Sequence, residues 1–188
     1  GPVFRAEKSK TRKHLNEFWM MDWEAPFFDQ QMSEDLTERM LKYVLKNVLE
    51  NRKSELKILE RDTTLLERAV HEPFPRLKLR DVIRMLNEEH GFALKPDDDL
   101  NTEAEEKIGE IYKIPAFVED YPYAVKAFYM KRYTDEDGTE RGYFADLIAS
   151  EGGGEIGTAA VRESDYEKLL VNLIERGYHL EDYQWYLD

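Results

Sequence analysis

Cysteine is absent from the 188 residues, so the chain forms no disulfide and offers no thiolate to a metal. Long apolar runs are missing too, since none approaches the roughly 20 residues of a membrane-spanning helix. The start, Gly1-Pro2-Val3, has neither the basic region nor the apolar core of a signal peptide. We therefore expect a cytoplasmic protein, in a reducing environment that the lack of cysteine permits.

Positive charge is outnumbered by negative charge, with 27 Lys and Arg against 40 Asp and Glu, and the formal net charge is −13. The charged residues of the first fourteen are Arg5, Glu7, Lys8, Lys10, Arg12 and Lys13. This segment therefore carries +4 and the remaining residues −17. A basic loop on an acidic body can attract a polyanion locally, without the broad basic face of a general nucleic-acid binder. The alternative is a solvated turn between two strands.

The first 24 residues contain two strand-like runs on either side of this loop. Residues two apart on a strand share a face, so Arg5 and Glu7 would point the same way, and the return strand could bring Phe18 alongside. An arginine, a carboxylate and an aromatic ring on one surface can hold a phosphate, an exocyclic amine and a planar base. These side chains are suited to an ATP site.

The middle of the chain has a helical pattern. We predict a helix from Ser33 to about Leu59, with Ser33 as N-cap and an apolar face of Leu36, Met40, Tyr43, Val44, Val48 and Leu49. Residues 60–78 are ambiguous because of Pro73 and Pro75. A second helix is expected over Leu79–His90, closed by Gly91, and a third begins with a capping box at Thr102 and ends at Tyr112. Asp97-Asp98-Asp99 is predicted to be a solvated loop rather than a metal site.

The last third changes to a strand period. Ala116–Val118, Ala127–Met130 and Tyr143–Ile148 are strand candidates, the latter two joined as a hairpin across Thr134–Gly138. A low-bulk strand, Glu155–Arg162, follows three glycines. A capping box at Ser164 then opens a helix that ends at Gly177, and a last helical piece covers Leu180–Leu187. The predicted fold is a single α+β domain over 1–188, a mainly antiparallel sheet flanked by helices. It divides into a hairpin (1–28), a helical connecting region (31–113) and the sheet with C-terminal helices (114–188).

The stretch FRAEKSKTRKHLNEFWM resembles motif 2 of the class II aminoacyl-tRNA synthetases, specifically the asparaginyl type. The later texts PAFVEDYPYAVKAFYMK, ADLIASEGGGEI, RESDYEKLLVNLIERG and LEDYQWYLD follow the catalytic domain of that type in order and spacing. The resemblance covers essentially the whole chain. It implies a class II catalytic core that activates asparagine with ATP and transfers it to tRNA(Asn).

The resemblance assigns the nucleotide contacts to the first segment. Arg5 matches the arginine that binds the α-phosphate during adenylation, Glu7 the acid near the adenine amino group, and Phe18 the ring that stacks on the base. His14 matches the loop histidine that reaches the terminal phosphates. The basic residues from Lys8 to Lys13 would lie near the acceptor end of the tRNA.

The resemblance assigns the metal and amino-acid contacts to the second half. Asp146 and Glu155 match carboxylates that organise ATP-bound Mg²⁺, and Arg162 matches the arginine that reads the amino-acid side chain. Relative to the family the chain is incomplete at both ends, because motif 1 and motif 3 are missing. Motif 1 is the usual dimer element, so the family's homodimer is not expected from this chain alone.

The asparaginyl type usually has Gly-Gly-Ser-Gln-Arg where this chain has Thr158-Ala159-Ala160-Val161-Arg162, and three departures from the family pattern stand out. Val161 stands where the asparaginyl type has a glutamine, Ala159 where it has a glycine, and Gly153 where it has a tyrosine. These changes imply altered specificity, weakened activation or a synthetase-derived paralogue without ligase activity, and an aspartate-specific relative remains an alternative. Each of these residues could also have a purely structural role. Arg5 and Glu7 could form an ion pair, and Phe18 and Asp146 could belong to the core. His14 could be a surface residue, and Arg162 could belong to the start of a helix.

Overall fold

The computed structural model describes residues 1–6, 15–96 and 98–188. A small antiparallel hairpin pairs β1 (Pro2–Phe4) with β2 (Glu17–Trp19). The main sheet has four strands in the order β3-β4-β7-β8, with β3 and β4 parallel and the other pairs antiparallel. Its strands are β3 (Arg76–Lys78), β4 (Ala116–Glu119), β7 (Phe144–Ala149) and β8 (Gly154–Ala160). A second hairpin pairs β5 (Arg132–Thr134) with β6 (Glu140–Gly142).

The helices are α1 (Gln30–Asn51), α2 (Lys53–Ile58), α3 (Thr64–His71), α4 (Leu79–His90), α5 (Thr102–Tyr112), α6 (Tyr166–Glu175) and α7 (Gln184–Leu187). Two 3₁₀ turns cover Tyr123–Val125 and Leu180–Tyr183. Among the described residues, no helix has both the length and the hydropathy that crossing a bilayer requires. The α+β class with a largely antiparallel sheet is confirmed.

The main sheet is covered on both faces, which follows from the alternation of side chains along its strands. On one face Val118, Phe144 and Ile148 join the core formed with α4 and α5. On the other face Phe117 and Leu147 pack towards α3 and α1. Helix α5 comes close to β7 at Gly109, where an added Cβ would lie 2.5 Å from the Ala149 carbonyl oxygen. The sheet is therefore a rigid platform for the residues at its ends.

The first long helix differs from its prediction. Asp29, not Ser33, is the N-cap, and its side chain accepts from the Met32 N–H at 2.8 Å. The helix ends at Asn51, and α2 follows as a separate short helix. The predicted apolar face is wrong at Tyr43 and Val44, which are exposed, while its other four residues are half-buried. The buried residues of α1 are Ser33, Glu34, Thr37 and Glu38.

Arg76 of β3 explains this buried polar face. Its guanidinium group donates to Glu34 at 2.9 Å and to Asp35 at 2.6 Å, and lies 3.4 Å from Glu38. Glu38 also accepts from the Phe74 backbone N–H at 3.2 Å. Buried carboxylates are stable when they are paired and hydrogen-bonded, so a charged partner from outside the helix determined which face packs.

Two capping predictions are wrong by one residue. Asn101, not Thr102, caps α5 by accepting from the Ala104 N–H at 2.9 Å. Asp165, not Ser164, caps α6 by accepting from the Glu167 and Lys168 N–H groups at 3.1 and 3.3 Å. Asn and Asp are as good N-caps as Ser and Thr, and adjacent candidates compete.

The predicted hairpin of Ala127–Met130 with Tyr143–Ile148 is also wrong. The hairpin strands are β5 and β6, Met130 forms only an isolated bridge with Arg162, and β7 pairs with β4 and β8. The helix over Leu79–His90 is confirmed, with Gly91 in the left-handed region at φ 73°. The ambiguous segment 60–78 contains α3 and β3.

Candidate functional site

Arg5 and Phe18 lie side by side on the first hairpin. The register pairs Val3 with Phe18, and the Arg5 N–H donates to the Asn16 carbonyl at 2.9 Å, so Arg5 continues the face that carries Phe18. The Arg5 guanidinium carbon lies 5.4 Å from the centroid of the Phe18 ring. The structure thus brings these two predicted residues together. Glu7, His14 and the basic segment between them lie outside the described residues.

Asp146 and Glu155 share one face of the main sheet because of a β-bulge. Asp146 pairs with Thr158, and Ile148 pairs with Glu155. The register shifts between these two pairs, so Ile156 has no partner residue on β7. An extra residue in one strand reverses the side-chain alternation beyond it. Without the bulge, Glu155 would point to the face opposite Thr158 and Asp146. Asp146 is buried and Glu155 is exposed.

A lysine that the sequence analysis missed lies against Asp146. The Lys126 ammonium nitrogen is 3.4 Å from a carboxylate oxygen of Asp146 and 3.4 Å from one of Asp99. It also lies 3.8 Å from the ring centroid of Tyr121 and 4.1 Å from that of Phe144. Lys126 immediately precedes the expected strand Ala127–Met130, and Asp99 belongs to a segment expected to be a solvated loop. No local pattern indicates that the two residues meet.

The pKa values of Asp146 and Glu155 are both raised. Burial raises the pKa of Asp146 to about 7, with Lys126 acting in the opposite direction and the Glu155 carboxylate adding to the rise. The pKa of Glu155 is also raised, first by partial desolvation among its neighbours and then by Glu105, while Lys126 and Arg5 act to lower it. Arg5 of the hairpin is therefore electrostatically coupled to the carboxylate on β8.

Asp146 has capacity for a further ligand. Its Oδ1 atom and the Tyr121 hydroxyl are buried, and neither has a hydrogen-bond partner within the described part of the chain. The Tyr121 hydroxyl is near enough to Asp146 to lower the Asp146 pKa, but it does not close a hydrogen bond of normal geometry. Buried polar atoms in this condition are costly, and a bound ion or water commonly satisfies them. No group of three or more carboxylates or imidazoles in the described ranges could hold a metal by itself. Mg²⁺ commonly takes one or two carboxylates with phosphate and water oxygens, and Asp146 with Glu155 fits that pattern.

Arg162 lies beyond the other end of β8 and contacts Glu24, a second residue that the sequence analysis missed. Nε donates to Glu24 at 3.0 Å, and Nη2 donates to the same carboxylate at 2.5 Å. Nη1 donates to the Tyr186 hydroxyl at 3.2 Å, and the ring centroid of Tyr129 is 4.9 Å from the guanidinium carbon. The hydrogen bond from Arg162 lowers the pKa of Glu24. A cation and an anion are thus presented side by side.

This pair lines an open cavity of about 1620 Å³. Its lining also includes Thr158, Ala159 and Val161, three residues of the strand text that departs from the family pattern. Ala159 is itself buried and lies opposite Ala145. At Gly153 an added Cβ would lie 2.6 Å from the Ala149 Cβ, so the turn before β8 requires a glycine in this chain.

Comparisons with known proteins agree on one family. The family described as tRNA synthetases class II (D, K and N) matches residues 1–188. The asparagine–tRNA ligase of Lactobacillus johnsonii is 46% identical over 188 residues, which are 100% of this chain and 43% of that protein. The asparagine–tRNA ligase of Streptococcus mutans is 44% identical over 200 residues, with the same coverage. The chain thus spans less than half the length of these curated relatives.

Solved structures show the same likeness. The asparaginyl-tRNA synthetase of Pyrococcus horikoshii, complexed with asparaginyl-adenylate, superposes with a TM-score of 0.91 at 38% identity, covering 100% of this chain and 42% of that one. The aspartyl tRNA synthetase of Entamoeba histolytica gives a TM-score of 0.77 at 26% identity, covering 100% of this chain and 39% of that one.

Proposed function

We propose, from the premise that this chain belongs to the class II tRNA synthetases of the D, K and N group, that it forms part of the catalytic core of an asparagine–tRNA ligase. The curated relatives at 44–46% identity are asparagine–tRNA ligases, which supports asparagine as the amino acid. The reaction would join the asparagine carboxylate to the α-phosphate of ATP with loss of pyrophosphate. The acyl group would then pass to a hydroxyl at the tRNA 3′ end with loss of AMP.

The Arg162–Glu24 pair is the observation that carries this proposal. An arginine only donates hydrogen bonds, and an ionised glutamate only accepts them. The lowered pKa keeps Glu24 ionised at neutral pH. A side-chain amide offers one acceptor oxygen and an NH₂ donor, so it complements both groups. The carboxylate of aspartate could pair with Arg162, but it would meet Glu24 as a like charge, which favours asparagine.

The ATP would bind at the opposite end of β8. Arg5 would contact the α-phosphate and stabilise the charge that develops there, while the neighbouring Phe18 ring stacks on the base. Glu7 and His14 are proposed for the adenine amino group and the terminal phosphates. Asp146 and Glu155 would hold Mg²⁺ together with phosphate oxygens. When bound, this ion would neutralise phosphate charge.

The remaining partners rest on the resemblance and on charge. The basic residues from Lys8 to Lys13 are proposed to contact the tRNA backbone, since they are concentrated cations on an acidic chain. The cytoplasm is the proposed location. A homodimer is proposed for the full-length protein and not for this part of it.

A second candidate is a synthetase-derived protein without ligase activity. It is favoured by Val161, which lines the cavity with an apolar side chain where the asparaginyl type has a glutamine. Such a protein would bind nucleotide or amino acid without charging tRNA.

The test is amino-acid-dependent exchange of pyrophosphate into ATP by the full-length protein that carries this chain. Asparagine, aspartate and lysine are compared at equal concentrations, with Glu24→Gln as the matched variant. We expect exchange with asparagine to exceed exchange with aspartate by at least about tenfold, and Glu24→Gln to reduce that ratio. Exchange with none of the three would contradict the ligase proposal, and a preference for aspartate would contradict the role of Glu24.

A further inference from the structure

The guanidinium group of Arg162 is held from three directions. Glu24 accepts from Nε and Nη2 on one edge, and the Tyr186 hydroxyl accepts from Nη1 on the other side at 3.2 Å. The ring of Tyr129 lies against its face, with its centroid 4.9 Å from the guanidinium carbon. Hydrogen bonds to two partners and the contact with the Tyr129 ring restrict rotation of the group.

A count of donors shows what this arrangement leaves available. A guanidinium group has five N–H donors. The contacts to Glu24 and Tyr186 use one on Nε, one on Nη2 and one on Nη1. One donor on Nη1 and one on Nη2 remain for a further acceptor. The direction of these two donors depends on the plane of the guanidinium group. Glu24 and Tyr186 together fix that plane more firmly than Glu24 alone would.

The Tyr186 hydroxyl is placed by an aromatic cluster. Phe128 lies at its centre, with ring centroids 5.3 Å from Tyr129, 5.1 Å from Tyr183 and 5.7 Å from Tyr186. The Phe128 carbonyl accepts from the Tyr123 hydroxyl at 2.9 Å and from the amide of Asn172, a residue 1% exposed, at 3.0 Å. Phe128 is thereby fixed to the body of the domain. It holds both aromatic neighbours of Arg162 in place.

We propose that Tyr186 is a positioning residue for amino-acid recognition: its hydroxyl fixes the plane of the Arg162 guanidinium group, so that the two remaining donors meet the side-chain oxygen of the substrate. This inference rests on the proposed function and deepens it. Helix α7, which carries Tyr186 24 residues beyond Arg162 in the sequence, would therefore contribute to amino-acid specificity. The Tyr186 hydroxyl itself need not touch the substrate.

The experiment compares Tyr186→Phe with Tyr183→Phe in the full-length protein. Both variants remove one hydroxyl and keep the ring against Phe128, but of these two hydroxyls only that of Tyr186 accepts a hydrogen bond from Arg162. In Tyr186→Phe we expect the KM for asparagine to rise about five- to tenfold, with kcat and the KM for ATP within about twofold of wild type. The preference for asparagine over aspartate should fall with it. Tyr183→Phe should behave as wild type.

Equal effects of the two variants on all kinetic constants would overturn the proposal, since they would indicate a general role in packing. An unchanged KM for asparagine in Tyr186→Phe would overturn it as well. If the wild-type protein activates no asparagine, the proposed function fails, and the contact is then judged by thermal unfolding. Tyr186→Phe and Arg162→Lys should be non-additive, whereas Tyr183→Phe and Arg162→Lys should add. Additivity in both pairs would show that Tyr186 does not position Arg162.

Discussion

The Lys126 ammonium group lies 3.4 Å from the Asp146 carboxylate, in a position where both side chains are nearly inaccessible to solvent. Lys126 is sandwiched against Tyr121 and Phe144, which places a cation over two aromatic rings. Asp146 retains one buried oxygen without a partner among the described residues. The cation therefore offsets part of the charge of the buried acid, but does not satisfy all of its hydrogen-bonding capacity.

Removal of this cation should destabilise the fold in a pH-dependent way. Lys126→Met keeps an apolar stem against the rings and leaves Asp146 without its ammonium partner. The wild-type Asp146 pKa is about 7 with Lys126 acting to lower it, so the pKa is higher in the variant, and at pH 8 the buried acid must either keep a proton or ionise without a partner. We therefore expect a loss of about 2–4 kcal/mol in the free energy of unfolding at pH 8. At pH 5.5 the acid takes up a proton, so the loss should shrink. Denaturant unfolding at both pH values measures it.

Lys131→Met is the matched control, because the Lys131 ammonium group lies 6.0 Å from the Tyr143 ring centroid and its side chain forms no ion pair with a residue of the described ranges. It should be nearly neutral at both pH values. A Lys126→Met loss that does not depend on pH would indicate that packing on the rings, and not the charge on Asp146, accounts for the role of Lys126.

Arg5 should be essential for catalysis and dispensable for folding. Its side chain is exposed on the first hairpin, so Arg5→Ala should leave the melting temperature of the full-length protein within about a degree of wild type. Loss of a charge-assisted contact to the developing phosphate charge should reduce kcat for asparagine-dependent pyrophosphate exchange by about 10²–10³-fold. Arg84→Ala, at an exposed position on α4, is the control. Exchange at the wild-type rate in Arg5→Ala would remove Arg5 from the site.

Glu119 should make the fold less stable as the pH rises. Its pKa is raised to about 7 by desolvation first and then by Glu34 and Asp120, with Arg76 acting in the opposite direction. The folded state therefore holds a proton that the unfolded state releases at its ordinary value of 4.5. This contribution to stability is fully present below pH 4.5 and is lost as the pH rises through about 7.

Glu119→Gln mimics the protonated form, so its stability relative to wild type should increase between pH 5 and pH 8, by about 1–3 kcal/mol at pH 8. Thermal unfolding across this range, with Glu110→Gln on α5 as an exposed control, measures the effect. A pH profile of Glu119→Gln that runs parallel to wild type would contradict the raised pKa.

Residues 158–161, which differ from the asparaginyl type, should limit the activation of asparagine. Val161 lines the cavity without a polar atom in its side chain, and a substrate amide left partly unpaired loses about 1–3 kcal/mol. We expect the unmodified protein to activate asparagine weakly, and replacement of residues 158–161 by Gly-Gly-Ser-Gln to improve exchange. Because Ala159 is buried opposite Ala145, the replacement should also lower the melting temperature.

Val161→Gln alone separates these two effects, since it adds the polar group and leaves Ala159 in place. Aspartate-dependent exchange serves as the control for the pocket. Strong asparagine activation by the unmodified protein, with no gain in either variant, would show that Val161 does not restrict the pocket.

Local sequence patterns determined those features whose causes lie within a few residues. The α+β class, the helix over Leu79–His90 and the strand at Ala116 all follow from the period of apolar residues, and Gly91 ends its helix because it adopts a positive φ easily. The contact of Arg5 with Phe18 is of the same kind, since a hairpin with alternating side chains brings them to one face. In these cases backbone geometry and nearest neighbours supply the whole reason.

Only the tertiary structure decided the features that depend on distant partners. The buried face of α1 is polar because Arg76, about forty residues later, provides the counter-charge. Glu155 joins Asp146 because of one extra residue in β8, which an apolar pattern does not reveal. Glu24 and Tyr186 meet Arg162 across 138 and 24 residues of sequence. Such contacts are selected by the packing of the whole chain, because each charged group needs a partner wherever the fold has placed it.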